Sequence, residues 1–144
     1  MAKERIFPVD VQLESLRQMS ENTMVSHLGI EFVEVGDNYI KATMPVDHRT
    51  VQPMGLLHGG ASVALAETLG SVGATLTLDL RKQHAVGLEI NTNHLRSMRS
   101  GIVTGTATPI HIGKTTQVWS IEITNEENKK VAISRITMAI LDVK

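Results

Sequence analysis

Cysteine is absent from the 144-residue sequence, and only 3% of the residues are aromatic. Without cysteine there can be no disulfide, no thiolate nucleophile and no cysteine-ligated zinc. Because aromatic rings are scarce, aliphatic side chains and the seven methionines must fill the interior. The formal net charge is −1, which gives no basic field for nucleic acid or an anionic membrane surface, so we expect neither as a partner.

Long apolar runs are missing as well. The first fourteen residues, MAKERIFPVDVQLE, contain no apolar segment of the kind found in signal peptides. The longest apolar stretch is interrupted by Glu67 and Asp79 and is rich in glycine, which argues against a membrane span. We therefore expect a single cytoplasmic domain over residues 1–144. The histidines show no HExxH or similar spacing, so we expect no metal site and no cofactor.

The first half of the chain changes its hydrophobic period twice. Asp10 can cap a short N-terminal helix, VQLESLRQMSENT. Residues 30–35 and 40–46 predict two paired strands, because apolar and polar residues alternate in the second and the intervening VGDN is typical of a turn. A long helix rich in small and apolar residues is predicted from about residue 59 to about residue 80.

The second half predicts four further strands, AVGLEINTNHL, GIVTGTATPIHI, TTQVWSIEIT and KVAISRITMAILDV. In the first of them Val86, Leu88 and Ile90 are expected on one face. The connections are too short for parallel crossovers, so the pattern predicts an α+β fold in which an antiparallel sheet curls around one central helix. Such a helix would be buried nearly all round, and its glycines and alanines would let the sheet approach closely.

Glu67 lies among apolar residues in the middle of this long helix. An ionised carboxylate is expensive to remove from water unless it has partners. Ser71 follows four positions later, so the two side chains share a helix face and could hold a water molecule between them. Three interpretations stay open: a solvated side chain, a structural hydrogen bond, or a carboxylate that does chemistry in a cleft.

The loop before the helix, QPMGLLHGG, brings polar groups to the helix start. Gln52, His58 and Gly59 could be ordinary loop and turn residues, or the backbone N–H groups there could stabilise a developing oxyanion. Gly59 and Glu67 are eight positions apart, and about 12 Å along a helix axis is too far for both to act on one carbonyl group. If both serve one reaction, the antiparallel helices of a two-fold dimer must supply them.

The segments HRTVQPMGLLHGGASVALAETLGSVGA, GLEINTNHLRS and HIGKTTQVWSIEI resemble the hotdog-fold acyl-CoA thioesterases. The similarity is greatest to the glutamate-dependent enzymes that hydrolyse 1,4-dihydroxy-2-naphthoyl-CoA and 4-hydroxybenzoyl-CoA, and it extends to PaaI-like proteins. The resemblance covers nearly the whole chain and implies the hotdog fold, in which a curled antiparallel sheet wraps a long central helix. It also implies an acyl-CoA substrate and a homodimer with composite active sites, which in many members pairs into a tetramer.

The resemblance also assigns roles to individual residues. Glu67 matches the catalytic carboxylate, and Ser71 matches a hydroxyl that helps to place the water. Gly59 matches the backbone donor to the thioester oxygen, while His58 and Gln52 match side chains that orient thioester and water. The last three would come from one subunit and the first two from the other. The implied coenzyme A contacts are Gly87, His94, Leu95, Arg96, Ser97, His111, Ile112, Gly113, Lys114, Thr115 and Thr116.

The function that follows is hydrolysis of an acyl-CoA to a free acid and coenzyme A. Glu67 would act either as a nucleophile, through a mixed anhydride, or as a general base for water. Two other classes stay open: an acyl-CoA binding module without catalysis, and a hotdog hydratase or dehydratase, whose Asp/His motif we do not find. The acyl group is expected to be aromatic or of medium chain length, and 1,4-dihydroxy-2-naphthoyl-CoA would imply menaquinone biosynthesis.

Overall fold

The computed structural model describes residues 4–8 and 10–144, so the prediction about the first fourteen residues lies partly outside the described residues. Two short helices, α1 (Leu13–Ser20) and α2 (Met24–His27), precede strands β1 (Glu31–Val35) and β2 (Ile40–Pro45). The long helix α3 (Gly59–Leu76) comes next. It is followed by β3 (Gln83–His94), β4 (Ile102–Ile112), β5 (Thr116–Thr124) and β6 (Lys130–Asp142).

The strands form one six-stranded antiparallel sheet in the order β1-β2-β4-β5-β6-β3. The helix α3 packs against β2, β3, β4, β5 and β6, which curl around it. This arrangement confirms the predicted α+β hotdog architecture with its short N-terminal helix. It also makes β3 an edge strand, because in the described chain its twelve residues pair with β6 alone.

Close contact between α3 and the sheet explains the glycines inside the helix. Leu65 and Leu69 are fully buried on the side that faces the sheet. A Cβ atom at Gly70 would collide with Cγ2 of Ile136 in β6. One at Gly73 would lie 3.0 Å from the Trp119 ring in β5. The helix accepts about 1 kcal/mol of lost propensity per glycine because only a missing side chain allows these strands to approach.

The end of α3 is fixed by a buried polar network. The predicted helix continued to Leu80, but the structure ends it at Leu76, where the Thr77 hydroxyl donates to the Ala74 carbonyl at 2.7 Å. The Gln117 amide in β5 donates to the Thr77 hydroxyl and accepts from the Trp119 indole, both at 2.8 Å. The hydrogen bond from β5 thus fixes Thr77, the first residue after the helix, and the local sequence pattern does not indicate this contact.

The predicted N-terminal helix is wrong at its start and in its length. Its first helical residue is Leu13, and the N-cap is Gln12, whose side chain makes no capping hydrogen bond. Asp10 therefore does not cap the helix. Its backbone carbonyl accepts a hydrogen bond from the side-chain amide of Gln12 at 3.3 Å. The helix also ends at Ser20, before the predicted end at Thr23, and the Thr23 hydroxyl instead accepts from Val25 N–H at the start of α2.

A β-bulge overturns the predicted face of β3. The register shifts between Gly87 and Glu89, and the extra residue changes which side chains point inward. Ile90 packs against the core, whereas Val86 and Leu88 are 39% and 62% exposed. The expectation that these three residues share one face is therefore wrong, because simple alternation does not continue through a bulge.

The helix α3 is not buried all round in the single chain. The side facing the sheet is covered, but one stripe with helical spacing remains only half-buried. We call this stripe the open face of α3. It consists of Ala64, Glu67, Thr68, Ser71, Val72 and Thr75.

Candidate active site

The loop between β2 and α3 is fixed by its own hydrogen bonds. The Thr50 hydroxyl is buried and donates to the Pro45 carbonyl at 2.7 Å. The Asp47 carboxylate accepts from the side chain and the backbone N–H of Arg49. These hydrogen bonds to Arg49 lower the pKa of Asp47 to about 2. The loop therefore reaches the start of α3 in a defined conformation.

Gln52 begins a tight turn whose geometry orients its side chain. The Gly55 N–H donates to the Gln52 carbonyl at 2.9 Å, and Gly55 adopts φ +79°, which favours glycine. The side-chain carbonyl oxygen of Gln52 accepts from Met54 N–H. The amide NH₂ group has no acceptor among the described residues, so it remains available as a donor.

His58 is the N-cap of α3. Its Nδ1 accepts from Gly60 N–H at 2.8 Å, so the proton of the neutral ring is on Nε2. The N–H of Gly59 has no acceptor within residues 4–8 and 10–144. A free backbone donor therefore stands at the positive end of the helix dipole.

A cavity of about 370 Å³ opens beside this end of α3, and we call it the N-terminal cavity. Its walls bring Gln52 and Gly59 together with the predicted coenzyme A segment His94–Ser97. Gly59 packs so closely on His94 that an added Cβ atom would lie 3.0 Å from Nε2 of that histidine. His58 lies on the other side of the helix start and borders a separate cavity with Arg49.

Glu67 is half-buried on the open face of α3 and points towards β3. A Cβ atom at Gly87 would lie 2.9 Å from Oε1 of Glu67, so glycine leaves the room that the carboxylate occupies. The carboxylate has no hydrogen-bond or ion-pair partner in the part of the chain that the structure describes. Gly87, which the resemblance assigned to coenzyme A, thus lies beside the candidate catalytic carboxylate.

Glu67 and Ser71 do not border the N-terminal cavity. Glu67 borders a cavity of about 240 Å³ together with Met24 of α2. Ser71 borders a cavity of about 300 Å³ together with residues of α1, and its hydroxyl is directed at Sδ of Met138 at 4.0 Å. One chain therefore presents the two predicted halves of the site in different places.

The second predicted coenzyme A segment lies at the other end of β3. His111–Thr116 forms the turn between β4 and β5, in which Gly113 N–H donates to the Thr116 carbonyl at 2.8 Å. Thr115 accepts from Ile140 N–H, and Ile140 is paired with Ala85 near the start of β3. Within one chain, the segments 94–97 and 111–116 are therefore far apart.

Sequence reasoning missed some residues of the N-terminal cavity. Ser62 is one turn after Gly59 on α3, and this spacing was a usable signal. Leu56, Leu57 and Val131 also line the cavity, but nothing in their local sequence marks them. Residues 4–8 and 10–144 contain no group of three or more His, Asp or Glu side chains that could hold a metal ion.

Three comparisons with known proteins, by family model, by related sequence and by solved structure, agree with one another. Residues 54–132 match the family model of the thioesterase superfamily. The 1,4-dihydroxy-2-naphthoyl-CoA hydrolase of Escherichia coli is 53% identical over 131 residues, which are 91% of this chain and 96% of that protein. The crystal structure of thioesterase HI1161 from Haemophilus influenzae superposes with a TM-score of 0.92 at 52% identity and covers 95% of each chain.

Two structures of the Staphylococcus aureus protein SAV0944 are also similar, each at 39% identity. Their TM-scores are 0.80 and 0.78, and they cover 83% and 81% of this chain and 99% and 97% of their own. One carries a glutamate-to-alanine substitution and the other a glutamine-to-alanine substitution fifteen positions earlier in sequence.

The fold and these relatives define a thioester hydrolase. The chain belongs to the thioesterase superfamily, within which it has the hotdog fold. Across the described residues, no helix has the length and apolar character needed to cross a membrane.

Proposed function

We propose that this chain hydrolyses aromatic or medium-chain acyl-CoA at composite sites between two protomers. One protomer would supply Gln52, His58 and Gly59, and its partner would supply Glu67 and Ser71. The observation that carries the proposal is the separation of these residues within one chain. Gln52 and Gly59 border the N-terminal cavity, whereas Glu67 and Ser71 border other cavities. A two-fold axis between two protomers would bring the first group of residues in one protomer next to the second group in its partner.

The free edge of β3 offers a way to build this dimer. Gly59 lies against His94 at the end of β3, and Glu67 lies against Gly87 nearer its middle. Two copies of β3 can pair as antiparallel strands around a centre midway between Gly87 and His94. His94 of the partner subunit then comes opposite Gly87, and the partner's Gly59 approaches Glu67.

The same pairing also supports a coenzyme A site. It places the start of one β3 opposite the end of the other, so the turn 111–116 of the partner moves to the side of His94–Ser97. The two segments would then face one ligand from different protomers. Arg96 and Lys114 are exposed in these segments, and their charges suit the phosphates of coenzyme A.

At the composite site, the partner's Gly59 N–H would bind the thioester oxygen and stabilise the charge that develops on it. Glu67 would either attack the carbonyl carbon, so that coenzyme A thiolate leaves and a mixed anhydride forms, or take a proton from a water that attacks directly. Water cleaves the anhydride in the first route, so both give the same acid. Heavy-oxygen label in Glu67 after one turnover in labelled water supports the anhydride.

The relatives support the choice of residues and substrate. The two altered positions in the Staphylococcus aureus structures are fifteen residues apart, as are Gln52 and Glu67. The Escherichia coli relative is a hydrolase of an aromatic acyl-CoA, 1,4-dihydroxy-2-naphthoyl-CoA. We infer an aromatic acyl group as the leading candidate and a medium-length chain as the second.

Mixing two inactive variants tests the composite site. Glu67→Ala and the double variant Gln52→Ala/His58→Ala each lack one half of the site, and a mixed dimer regains one intact site. With equal amounts unfolded and refolded together, about a quarter of the parent thiol release should return. As a control, Glu67→Ala mixed with Ser71→Ala should show no more than the summed residual activity of the two separate variants, because both changes lie in the same half.

Two results would contradict this proposal. Recovery no greater than the sum of the separate variants would place the whole site in one chain. Tight binding of acyl-CoA without thiol release by the parent would favour the alternative, a non-catalytic acyl-CoA binding module.

The outward face of the sheet supports a pair of dimers. Its central strands present mostly uncharged, half-buried side chains, among them Thr104, Thr106, Val118, Ser120 and Thr137. On this face Glu122 pairs with Lys130 and Arg135 is exposed, so a second dimer can pack over the uncharged part when Arg135 stays at the rim of the contact. We expect a tetramer by light scattering, and we expect Val118→Glu to divide it into active dimers. A parent protein that is dimeric at micromolar concentration would contradict the tetramer.

A further inference from the structure

A cavity of about 300 Å³ is bordered by Ser71, the second residue of the proposed catalytic pair Glu67 and Ser71. It lies between α1 and the second half of α3, and we call it the distal cavity. Ser71, one helical turn beyond Glu67, is the lining residue nearest the carboxylate along α3. Its walls are formed by α3 and the segment after it, by α1 and by a residue before α1: Val72, Thr75, Leu76, Leu78, Leu80, Leu16, Met19 and Pro8.

The chemistry of these walls selects a neutral, mostly apolar occupant. Among the residues that the structure describes, no charged side chain lines the distal cavity, and its polar side chains are the hydroxyls of Ser71 and Thr75. Thr75 lies two turns beyond Glu67, so the cavity extends roughly 12 Å along the helix from the carboxylate. A ring system or a medium-length chain fits a space of this depth and polarity.

A second cavity competes for the same role. Glu67 itself borders the smaller cavity against α2, whose wall includes Met24. In the proposed dimer, the partner's Gly59 lies beside Glu67, so the two antiparallel helices overlap over residues 59–67 and leave 71–76 free of the partner helix. Gly59 lies against His94, which begins the proposed coenzyme A segment, so the overlapped half would hold the coenzyme A side of the thioester and leave the acyl group to the distal cavity.

We infer that the distal cavity is the acyl subsite and that α1 sets the size of the acyl group. The inference rests on the proposed function, since it takes Glu67 and Ser71 as the reacting end. Leu16, 3% exposed, forms the floor, and Met19, 64% exposed and one turn further along the same helix face, forms the outer wall. Met19 is thus a specificity-determining residue on α1 that can be altered without disturbing the core, and Leu80, 59% exposed, borders the cavity from the segment after α3.

The test uses a matched pair of exposed methionines. Met19 borders the distal cavity and Met24 borders the competing one, and both are 64% exposed. In Met19→Trp the indole should bury itself in the adjacent apolar cavity and exclude large acyl groups. The ratio of kcat/KM for naphthoyl-CoA to that for butanoyl-CoA should then fall about tenfold. Met19→Leu, which keeps the apolar volume, should retain the parent ratio.

Met24→Trp should leave this ratio within about twofold of the parent value, since it lies outside the proposed subsite. A fall in the ratio for Met24→Trp but not Met19→Trp would move the acyl group to the cavity against α2 and overturn the inference. An unchanged ratio in both variants would also overturn it, since neither wall would then touch the acyl group.

Binding measurements separate this inference from the catalytic proposal. Dissociation constants for non-hydrolysable thioether analogues of the two acyl-CoAs report the same preference without turnover. If Glu67→Ala still hydrolyses thioesters, the proposed role of Glu67 fails, yet a tenfold loss of naphthoyl preference in Met19→Trp would still support the acyl subsite. If the analogues show no such loss, the subsite fails whatever the role of Glu67.

Discussion

The two faces of α3 differ in what covers them. On the face towards the sheet, Leu65 and Leu69 are fully buried, and Gly70 leaves room only for the Ile136 methyl group. On the open face, Glu67 and Ser71 are half-buried, and the carboxylate has no partner among the described residues. The first face is complete within one chain, whereas the second presents a carboxylate that the described residues leave without a partner.

This difference separates stability from activity. A tightly packed face tolerates little change in side-chain volume, because neighbouring atoms relax only in part. A half-buried carboxylate without partners among the described residues contributes little to folding, so its position there indicates a use outside the fold. Substitutions on the sheet face should therefore change stability, and substitutions on the open face should change turnover.

The largest effect is expected at Glu67. Glu67→Ala should lower kcat by at least about 10³-fold, which corresponds to about 4 kcal/mol of transition-state stabilisation. Its unfolding free energy should stay within about 1 kcal/mol of the parent, because no contact of the carboxylate supports the fold. Thiol release and urea unfolding measure the two quantities. A folded variant with near-normal turnover would remove Glu67 from the mechanism.

The opposite result is expected at Gly70. A valine there would press its side chain against Ile136 and should reduce the free energy of unfolding by about 3 kcal/mol. The matched control on the open face is Thr68→Val, which keeps the β-branched shape and should cost less than about 1 kcal/mol. If both substitutions destabilise equally, the open face is as tightly packed as the sheet face and the comparison between the two faces fails.

Ser71 and Thr68 allow a comparison of two hydroxyl side chains within the open face. Ser71→Ala should lower kcat about tenfold, equivalent to about 1.4 kcal/mol, because a neutral hydrogen bond to the reacting water would be lost. Thr68 is a suitable control, since its hydroxyl donates to the Ala64 carbonyl at 2.7 Å inside the helix. Thr68→Val should change kcat by less than twofold in the same thiol-release assay. Equal losses in both variants would argue against a specific role for Ser71.

The fold was predictable from the sequence wherever the hydrophobic period was regular. The six strands and the long helix follow from alternation and from small residues, and the structure contains all of them. The errors lie where one local event changes the pattern. The bulge after Gly87 reverses the alternation of β3. The hydrogen bond from Gln117 to Thr77 lies where α3 ends, four residues before the predicted end at Leu80. Asp10 failed as a cap because the first turn starts three residues later.

The candidate site was predictable only in part, because it depends on how the fold brings distant segments of the chain together. The loop motif marked Gln52 and Gly59, which the structure brings together with the segment His94–Ser97. The proximity of Gly87 to Glu67 depends on how the sheet curls, and no local signal encodes it. The partition of the site between protomers remains a prediction that rests on the eight-residue spacing from Gly59 to Glu67.

The smallest effect is expected from two exposed ion pairs that flank α3. Asp47 pairs with Arg49 in the loop before the helix, and Asp79 pairs with Arg81 after it. Hydrogen bonds from the arginines lower the pKa of each aspartate from 3.8 to about 2. A lowered pKa stabilises the fold above pH 4, and that contribution is lost as the pH falls through about 2. Asp47→Asn and Asp79→Asn should each lower Tm at pH 7 slightly and approach the parent near pH 2.

Activity should distinguish these two variants although their effects on stability are alike. Asp47 holds the loop that carries Gln52 and His58, so Asp47→Asn should raise KM for an acyl-CoA a few-fold. Asp79 follows the other end of α3, away from the N-terminal cavity, and Asp79→Asn should leave KM unchanged. Melting curves from pH 7 to pH 2 and steady-state kinetics at pH 7 test both statements. Equal KM values would mean that the ion pair supports the fold at this end of α3 without positioning the loop.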